Sequence, residues 1–400
     1  MGKTKDQGRH SVSRRNALQG LAGFVAASPL LRGQEDPFRN HSRAPGINEL
    51  TTAFDFEEVA YAKLRRDVYD FMMGNGDDES TFRRNRIAFD WVSLVSRGMA
   101  DVRSINTATE IFGQKMRFPI LISPTAGQGF LHDDGEKAMH EGATAANVTM
   151  IVNSAPSFPI EDIAAAAAGP LWFQLYRRPT VEDTTDLIQQ AQAAGCKAIA
   201  WTVDGPVGPY RQRVLHNRHL GGYGAADGSG RLYSKNRRGR ENYGVPAQVL
   251  DWKFLESFRP AVKVPLLLKG LIHAEDADLA VRHGLDGIIV SNHGARRVGH
   301  SCSSLEVLPE IVDKVAGRIP VLVDSGFRRG SDVLKALALG ADAVCLGRVP
   351  RWGLASFGAP GVQRILEIVQ AELLLAMANT GRSSLAAIDR SLVRTSFPWA

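Results

Sequence analysis

The chain has 400 residues, 44% of them hydrophobic, and a formal charge of +6 at neutral pH. This excludes a disordered or fibrous chain and is enough for one large α/β domain or two ordinary ones. The charge excess sits in the first 15 residues and in "RLYSKNRRGR", residues 231–240, which reads as a solvated loop, so nucleic-acid binding is not inferred.

The N-terminal stretch "SRRNALQGLAGFVAASPLL", residues 13–31, places Arg14 and Arg15 before an apolar run too short for an ordinary membrane span. This pattern resembles a bacterial twin-arginine export signal, and predicts an exported, periplasmic protein that stays membrane-associated if the signal is retained. Residues 1–32 are therefore set apart as a signal segment, 33–50 as a linker, 51–390 as the folded domain and 391–400 as a tail.

From residue 118 onward, short apolar runs alternate with helical spacing. The predicted strands are "FPILISPTA", "TMIVNS", "LWFQLY", "KAIAWTVD", "VPLLLKG", "DGIIVSNHG", "IPVLVDSG" and "AVCLGR". Between them, "VEDTTDLIQQAQAAG", "AEDADLAVRHG" and "GSDVLKALALG" carry helical apolar spacing and close on glycine. Eight such units predict an α/β fold, a (β/α)8 TIM barrel preceded by a helical extension. A doubly wound sheet is the alternative, weakened by the lack of a GxGxxG after the first strand. Cys196, Cys302 and Cys345 show no CxxC spacing or cysteine–histidine cluster suited to zinc, so no metal site is expected.

In such barrels the chemistry sits at the C-terminal ends of the strands. Those ends are polar here: Thr125, Asn153, Gln174 with Tyr176, Thr202 with Asp204, Lys269, His293 with Arg296, Asp324, and Gly347 with Arg348. The loop "DSGFRRGSDVLKA" runs into a helix, and with the Gly347–Arg348 turn it makes a ready phosphate site, so a phosphorylated cofactor is favoured. His293 is the best general base, and Asp204 is placed to orient it. Arg296 and Arg211 offer planar forks for a carboxylate. A base, an anion clamp and a phosphorylated cofactor together point to oxidation next to a carboxylate.

Residues 51 to about 390 resemble the FMN-dependent α-hydroxy-acid oxidases and dehydrogenases, the group of glycolate oxidase, lactate oxidase and mandelate dehydrogenase. The resemblance rests on "FQLY", "AIAWTVD", "LLLKG", "AEDADLAVRHGLDGIIVSNHGARR" and "DSGFRRGSDVLKALALGADAVCLGR". It implies FMN as cofactor, a 2-hydroxy acid as substrate, O₂ or a quinone or cytochrome as electron acceptor, and a homotetramer. It implies His293 as the base paired with Asp204, and Lys269 beside the flavin's N1 and C2 carbonyl. Arg296 is implied to bind the substrate carboxylate, with Tyr176 and Arg211 lining the pocket. For the cofactor it implies Thr125 and Ala126 near the ring, Gln174 and Thr202 on its polar edge and Ser291 beside it. Asp324, Gly326, Arg328, Gly347 and Arg348 then lie toward the ribityl chain and phosphate.

Four positions depart from the family pattern. Phe71 stands where a carboxylate-binding tyrosine is usual, Ser325 replaces the middle glycine of "DGG", Asn153 replaces a serine, and Val298–Gly299 replace Leu–Asp. The leading expectation is FMN-dependent oxidation of an L-2-hydroxy acid. The alternatives are an FMN barrel oxidising an amine or a modified peptide, favoured by Phe71, and a flavin binder without catalysis, disfavoured by His293, Asp204 and Lys269.

Overall fold

Eight runs of apolar residues pair in parallel because each is covered on both faces, and they close on themselves. The structure, a computed structural model, describes residues 45–206, 211–217 and 250–398. Arg14, Arg15, the apolar run after them and the basic stretch 231–240 lie outside these residues. The chain divides into two units, Met1–Gly46 and Ile47–Ala400, and the fold described is that of the second.

The barrel strands are β1 (Ile120–Ile122), β2 (Thr149–Val152), β3 (Leu171–Leu175), β4 (Ile199–Thr202), β5 (Leu266–Leu271), β6 (Gly287–Val290), β7 (Val321–Val323) and β8 (Ala343–Leu346). Each pairs with the next, and β8 closes on β1 through pairs such as Val344 with Ile120. All eight predicted strands are present, and helices form at Val181–Ala193, Ala274–Arg282 and Gly330–Ala338 as the spacing predicts. Three helices precede the barrel: α1 (Ala53–Lys63), α2 (Arg66–Met73) and α3 (Ser80–Asp90).

Strand periodicity explains where the polar residues go. Side chains alternate faces with period two, and each strand sends an apolar residue into the interior at one level: Leu121, Ile151, Trp172, Ala200, Leu267, Ile289, Leu322 and Cys345. Two residues further along stand Ser123, Asn153, Gln174, Thr202, Lys269, Ser291, Asp324 and Gly347. The side chains in this second layer are buried. A polar layer thus caps an apolar plug at the C-terminal mouth.

The opposite mouth is closed by a hairpin, Thr109–Ile111 with Gln114–Met116, that the sequence reading did not anticipate. Ile111, Met116 and Phe112 join the interior cluster, and Trp172 Nε1 donates to Gln114 Oε1 at 3.0 Å. Among the described residues, this leaves the C-terminal mouth of the barrel for a site. Near the C-terminus, Val393–Thr395 pairs antiparallel with Val92–Leu94. The longest helix among the described residues, Arg348–Asn379, is broken at Phe357 and Gly358. Among the described residues no helix is long and apolar enough to cross a membrane.

Candidate active site

The "SNHGA" turn after β6 is a strained piece of backbone. His293, Gly294 and Ala295 have φ of 59°, 62° and 67°, a left-handed run that costs on the order of 1–3 kcal/mol per non-glycine residue and persists only when its surroundings hold it. Here they do. Ser291 Oγ accepts from His293 N at 3.0 Å, Asn292 Oδ1 accepts from Ala295 N at 3.0 Å, and Gly294 N donates to Ser325 Oγ at 3.0 Å. Arg348 Nη1 donates to Gly294 O at 2.9 Å. The turn aims the His293 ring across the mouth, which is why a buried strand ends in this polar cluster.

His293 Nδ1 lies 2.8 Å from Asp204 Oδ1, and Nε2 lies 3.3 Å from the Tyr176 hydroxyl. Burial works against the Asp204 carboxylate, but His293, Lys269 and Arg297 outweigh it and hold the group down to about 2. An ionised Asp204 can only accept, so Nδ1 carries the hydrogen and Nε2 presents its lone pair. Burial pushes the His293 imidazolium below the ordinary histidine range, with Asp204 opposing and Arg297 and Lys269 adding to the fall. The fall favours the neutral ring, with its hydrogen on Nδ1 toward Asp204.

Lys269 Nζ pairs with Asp324 Oδ2 at 3.1 Å and donates to Ser291 Oγ at 2.9 Å. Burial disfavours its charge, yet Asp324 and Asp204 keep its pKa raised. Ser325 has φ of 84°, a region that favours glycine, and is held there by its hydroxyl, which donates to Asp324 Oδ1 at 2.7 Å. That bond, with the one from Gly294 N, ties the β7 loop to the His293 turn.

These groups surround a cavity of about 780 Å³, a size typical of small-molecule sites. Of the predicted residues, Phe71, Thr125, Ala126, Asn153, Gln174, Tyr176, Thr202, Arg211, Lys269, His293, Arg296, Asp324, Gly326, Arg328, Gly347 and Arg348 line it. Asp204 and Ser291 do not; Asp204 contacts His293, and Ser291 contacts Lys269. Asn153 lines the wall but has its amide committed, donating to Thr125 O at 3.1 Å and accepting from Ala155 N at 2.9 Å. Arg297, Arg351, Phe130, Phe158 and Pro156 also line the cavity and were not singled out from the sequence.

The lining fits a flavin phosphate and a carboxylate. Gln174 Nε2 and Thr202 Oγ1 are buried with no partner in the protein, and groups so placed call for a ligand. Arg296 is pushed far down, by burial and then by Arg211, Arg348, Arg351 and Arg297. Burial foremost also pushes Arg348 down to about 9 and Arg328 and Arg351 down to about 10. Such a cluster of buried cations is stabilised by bound anions. Arg296 Nη1 donates to the carbonyls of Phe71, Met72 and Gly74 at 3.0, 3.1 and 2.9 Å, at the C-terminal end of α2. This places Phe71 in the wall and lets a cation face the negative end of a helix dipole.

Gly326 has φ of 91°, and a Cβ there would lie 2.5 Å from Asn85 O. Gly326→Ala is expected to destabilise the fold by about 1–2 kcal/mol or more and to lower flavin content, read by thermal denaturation and by the flavin-to-protein absorbance ratio.

Fold and site together define a (β/α)8 barrel whose C-terminal mouth holds a buried His–Asp pair and a cluster of buried cations suited to an anionic ligand. The chain belongs to the FMN-dependent dehydrogenase family, whose pattern matches residues 60–395. It is 39% identical over 351 residues to 2-hydroxyacid oxidase 2 of Mus musculus, covering 86% of this chain and 98% of the relative. It is 37% identical over 356 residues to the peroxisomal (S)-2-hydroxyacid oxidase of Arabidopsis thaliana, covering 87% and 98%. A crystal structure of mandelate oxidase superposes with a TM-score of 0.78 at 34% identity, covering 87% of this chain and 98% of that one. The protein is an FMN-dependent enzyme that oxidises an L-2-hydroxy acid to the 2-oxo acid and passes the electrons to O₂ or a quinone-type acceptor. The expectation of periplasmic export with membrane association is corrected: a relative matched over almost its whole length is peroxisomal, and no described helix can cross a membrane.

Proposed function

We propose that His293 is the base, that Arg296 and Arg211 hold the substrate carboxylate, and that the substrate carries a bulky apolar side chain. The single observation that carries the reading of the base is the His293–Asp204 contact of 2.8 Å at the cavity wall. The Nε2 lone pair takes the proton of the substrate hydroxyl, and Asp204 stabilises the imidazolium that forms. Tyr176, 3.3 Å from Nε2, donates to the developing 2-oxo oxygen. FMN, when bound, supplies the two-electron acceptor, held by Thr125, Ala126, Gln174 and Thr202 around the ring and by Asp324, Gly326, Arg328, Gly347 and Arg348 toward the phosphate. Lys269 provides the positive charge that favours its reduced form. Substrate bulk is supported by the apolar side chains Phe71, Ala155, Pro156, Phe130 and Phe158 in the cavity lining. O₂ as the acceptor is supported by the relatives' being oxidases, and a homotetramer by family resemblance.

Anaerobic mixing of the purified yellow protein with a panel of L-2-hydroxy acids is expected to bleach the flavin. Admitting air should restore it with formation of peroxide. Bleaching by amines but by no 2-hydroxy acid would overturn the substrate assignment.

A further inference from the structure

The "ARR" that ends the base turn puts two adjacent guanidiniums in different places. Arg296 turns back to the end of α2, whereas Arg297 turns toward the base. Arg297 Nη2 donates to the Tyr176 oxygen at 3.2 Å, and its Nε lies 3.8 Å from Asp204 Oδ1, the oxygen that receives His293 Nδ1. Beneath it lies Gly205, where an added Cβ would come within 2.4 Å of Nη2. Only a glycine leaves the guanidinium this seat.

We propose that Arg297 is a positioning residue for the base. It fixes the Tyr176 hydroxyl as a donor at the mouth of the site and competes with the imidazolium for Asp204, so that His293 stays neutral and can take the substrate proton at Nε2. The proposal rests on the reading of His293 as base.

The donor geometry follows from the inventory of hydrogens. Guanidinium only donates, so the Tyr176 oxygen accepts from Arg297 and its own O–H is left to point elsewhere. The nearest acceptor is the His293 Nε2 lone pair at 3.3 Å. The two rings lie 6.5 Å apart with an interplanar angle of 21°, which holds the hydroxyl where an incoming substrate oxygen will meet it.

The electrostatic part follows from what surrounds the imidazole. Asp204 at the end of β4 favours protonation of His293; Lys269 on β5 and Arg297 on its own turn oppose it, as burial does. Tyr176 at the end of β3 is a neutral phenol whose pKa burial raises. Arg348 reaches the same turn through Gly294 O. Asp204 alone would make an imidazolium comfortable and so block the base. A second cation sharing that carboxylate shifts the balance toward the neutral form.

The test is the pH profile of kcat/KM for R297Q and R297K beside the wild type, with bound FMN followed by absorbance. R297Q is expected to move the acid limb upward by roughly one pH unit, the direction expected when a cation near the base is removed. R297K should keep the limb close to its wild-type position, because it keeps the charge. If R297Q fails to hold FMN, R297M gives the same reading. A limb that stays put in R297Q overturns the proposal, as does a pH-independent rise in KM, which would mark Arg297 as a substrate clamp instead. H293A measured alongside separates the two failures. If H293A still reduces flavin, the base assignment falls and the proposal with it; if H293A is inactive while the R297Q limb is unmoved, only the role of Arg297 falls.

Discussion

Replacing His293 by Ala should lower the rate of flavin reduction by substrate at least ~10²- to 10⁴-fold, the contribution typical of a positioned general base. FMN should stay bound, since the residues assigned to its ring and phosphate lie mainly on other strands. The backbone needs a control, because His293 has φ of 59° and alanine tolerates that region less well than histidine or asparagine. His293→Asn therefore accompanies it: asparagine keeps the left-handed turn and has no basic nitrogen. Equal losses in both variants place the effect on the base. Near-normal reduction in either would remove His293 from the mechanism. The pH dependence follows with a definite sign. His293 must be neutral to accept a proton, and burial with Arg297 and Lys269 pushes its pKa below the ordinary value near 6.5. Activity should therefore persist below pH ~6.5 and fall only as the imidazole finally protonates. An acid limb above that value would mean that Asp204 dominates.

The barrel was legible because parallel strands buried on both faces are continuous apolar runs, and eight of them recur in one chain. The polar layer was legible for a related reason: period two carries each run from an inward apolar residue, such as Leu267, to an inward polar one, such as Lys269. The hairpin that plugs the other mouth was not. Its strands, "TEI" and "QKM", are three residues each and mostly polar, and Gln114 is committed there by Trp172 and Thr149 on two neighbouring barrel strands. Arg297 was illegible for a different reason. Two adjacent arginines are equivalent in a sequence, and only the turn at His293–Ala295 sends one to a helix end and the other to Tyr176. Arg351 stands one residue before a buried Trp in a helix, and nothing in that spacing says that it faces the cavity. Ser291 stands at the polar level of its strand, as its spacing predicts, and its contact with Lys269 Nζ could not be read from the sequence because the two residues lie on neighbouring strands.

Phe71→Tyr should raise activity on small 2-hydroxy acids more than on large ones. Phe71 stands in the cavity wall with the Arg296 guanidinium 5.5 Å from its ring centroid and with Gly127 against its edge. As phenylalanine it offers the substrate carboxylate no hydroxyl donor. A hydrogen bond to a charged group contributes roughly 1.5–3 kcal/mol, a factor of about 10 to 150 in binding or transition-state stabilisation. Glycolate and lactate have little other surface with which to recover that loss. A large apolar side chain does: packed against Phe71, Ala155, Pro156 and Phe158, it gains about 25 cal/mol for each Å² of apolar surface removed from water. Burial of about 60–120 Å² would then match the missing hydrogen bond. The wild type should accordingly favour 2-hydroxyoctanoate and mandelate over glycolate and lactate. Phe71→Tyr should narrow the gap, because the new hydroxyl serves every carboxylate but takes apolar contact away from the larger side chains. Flavin reduction by all four acids in both proteins decides it: equal gains across the series, or a wild type that already prefers glycolate, would show that Phe71 does not govern selection by size.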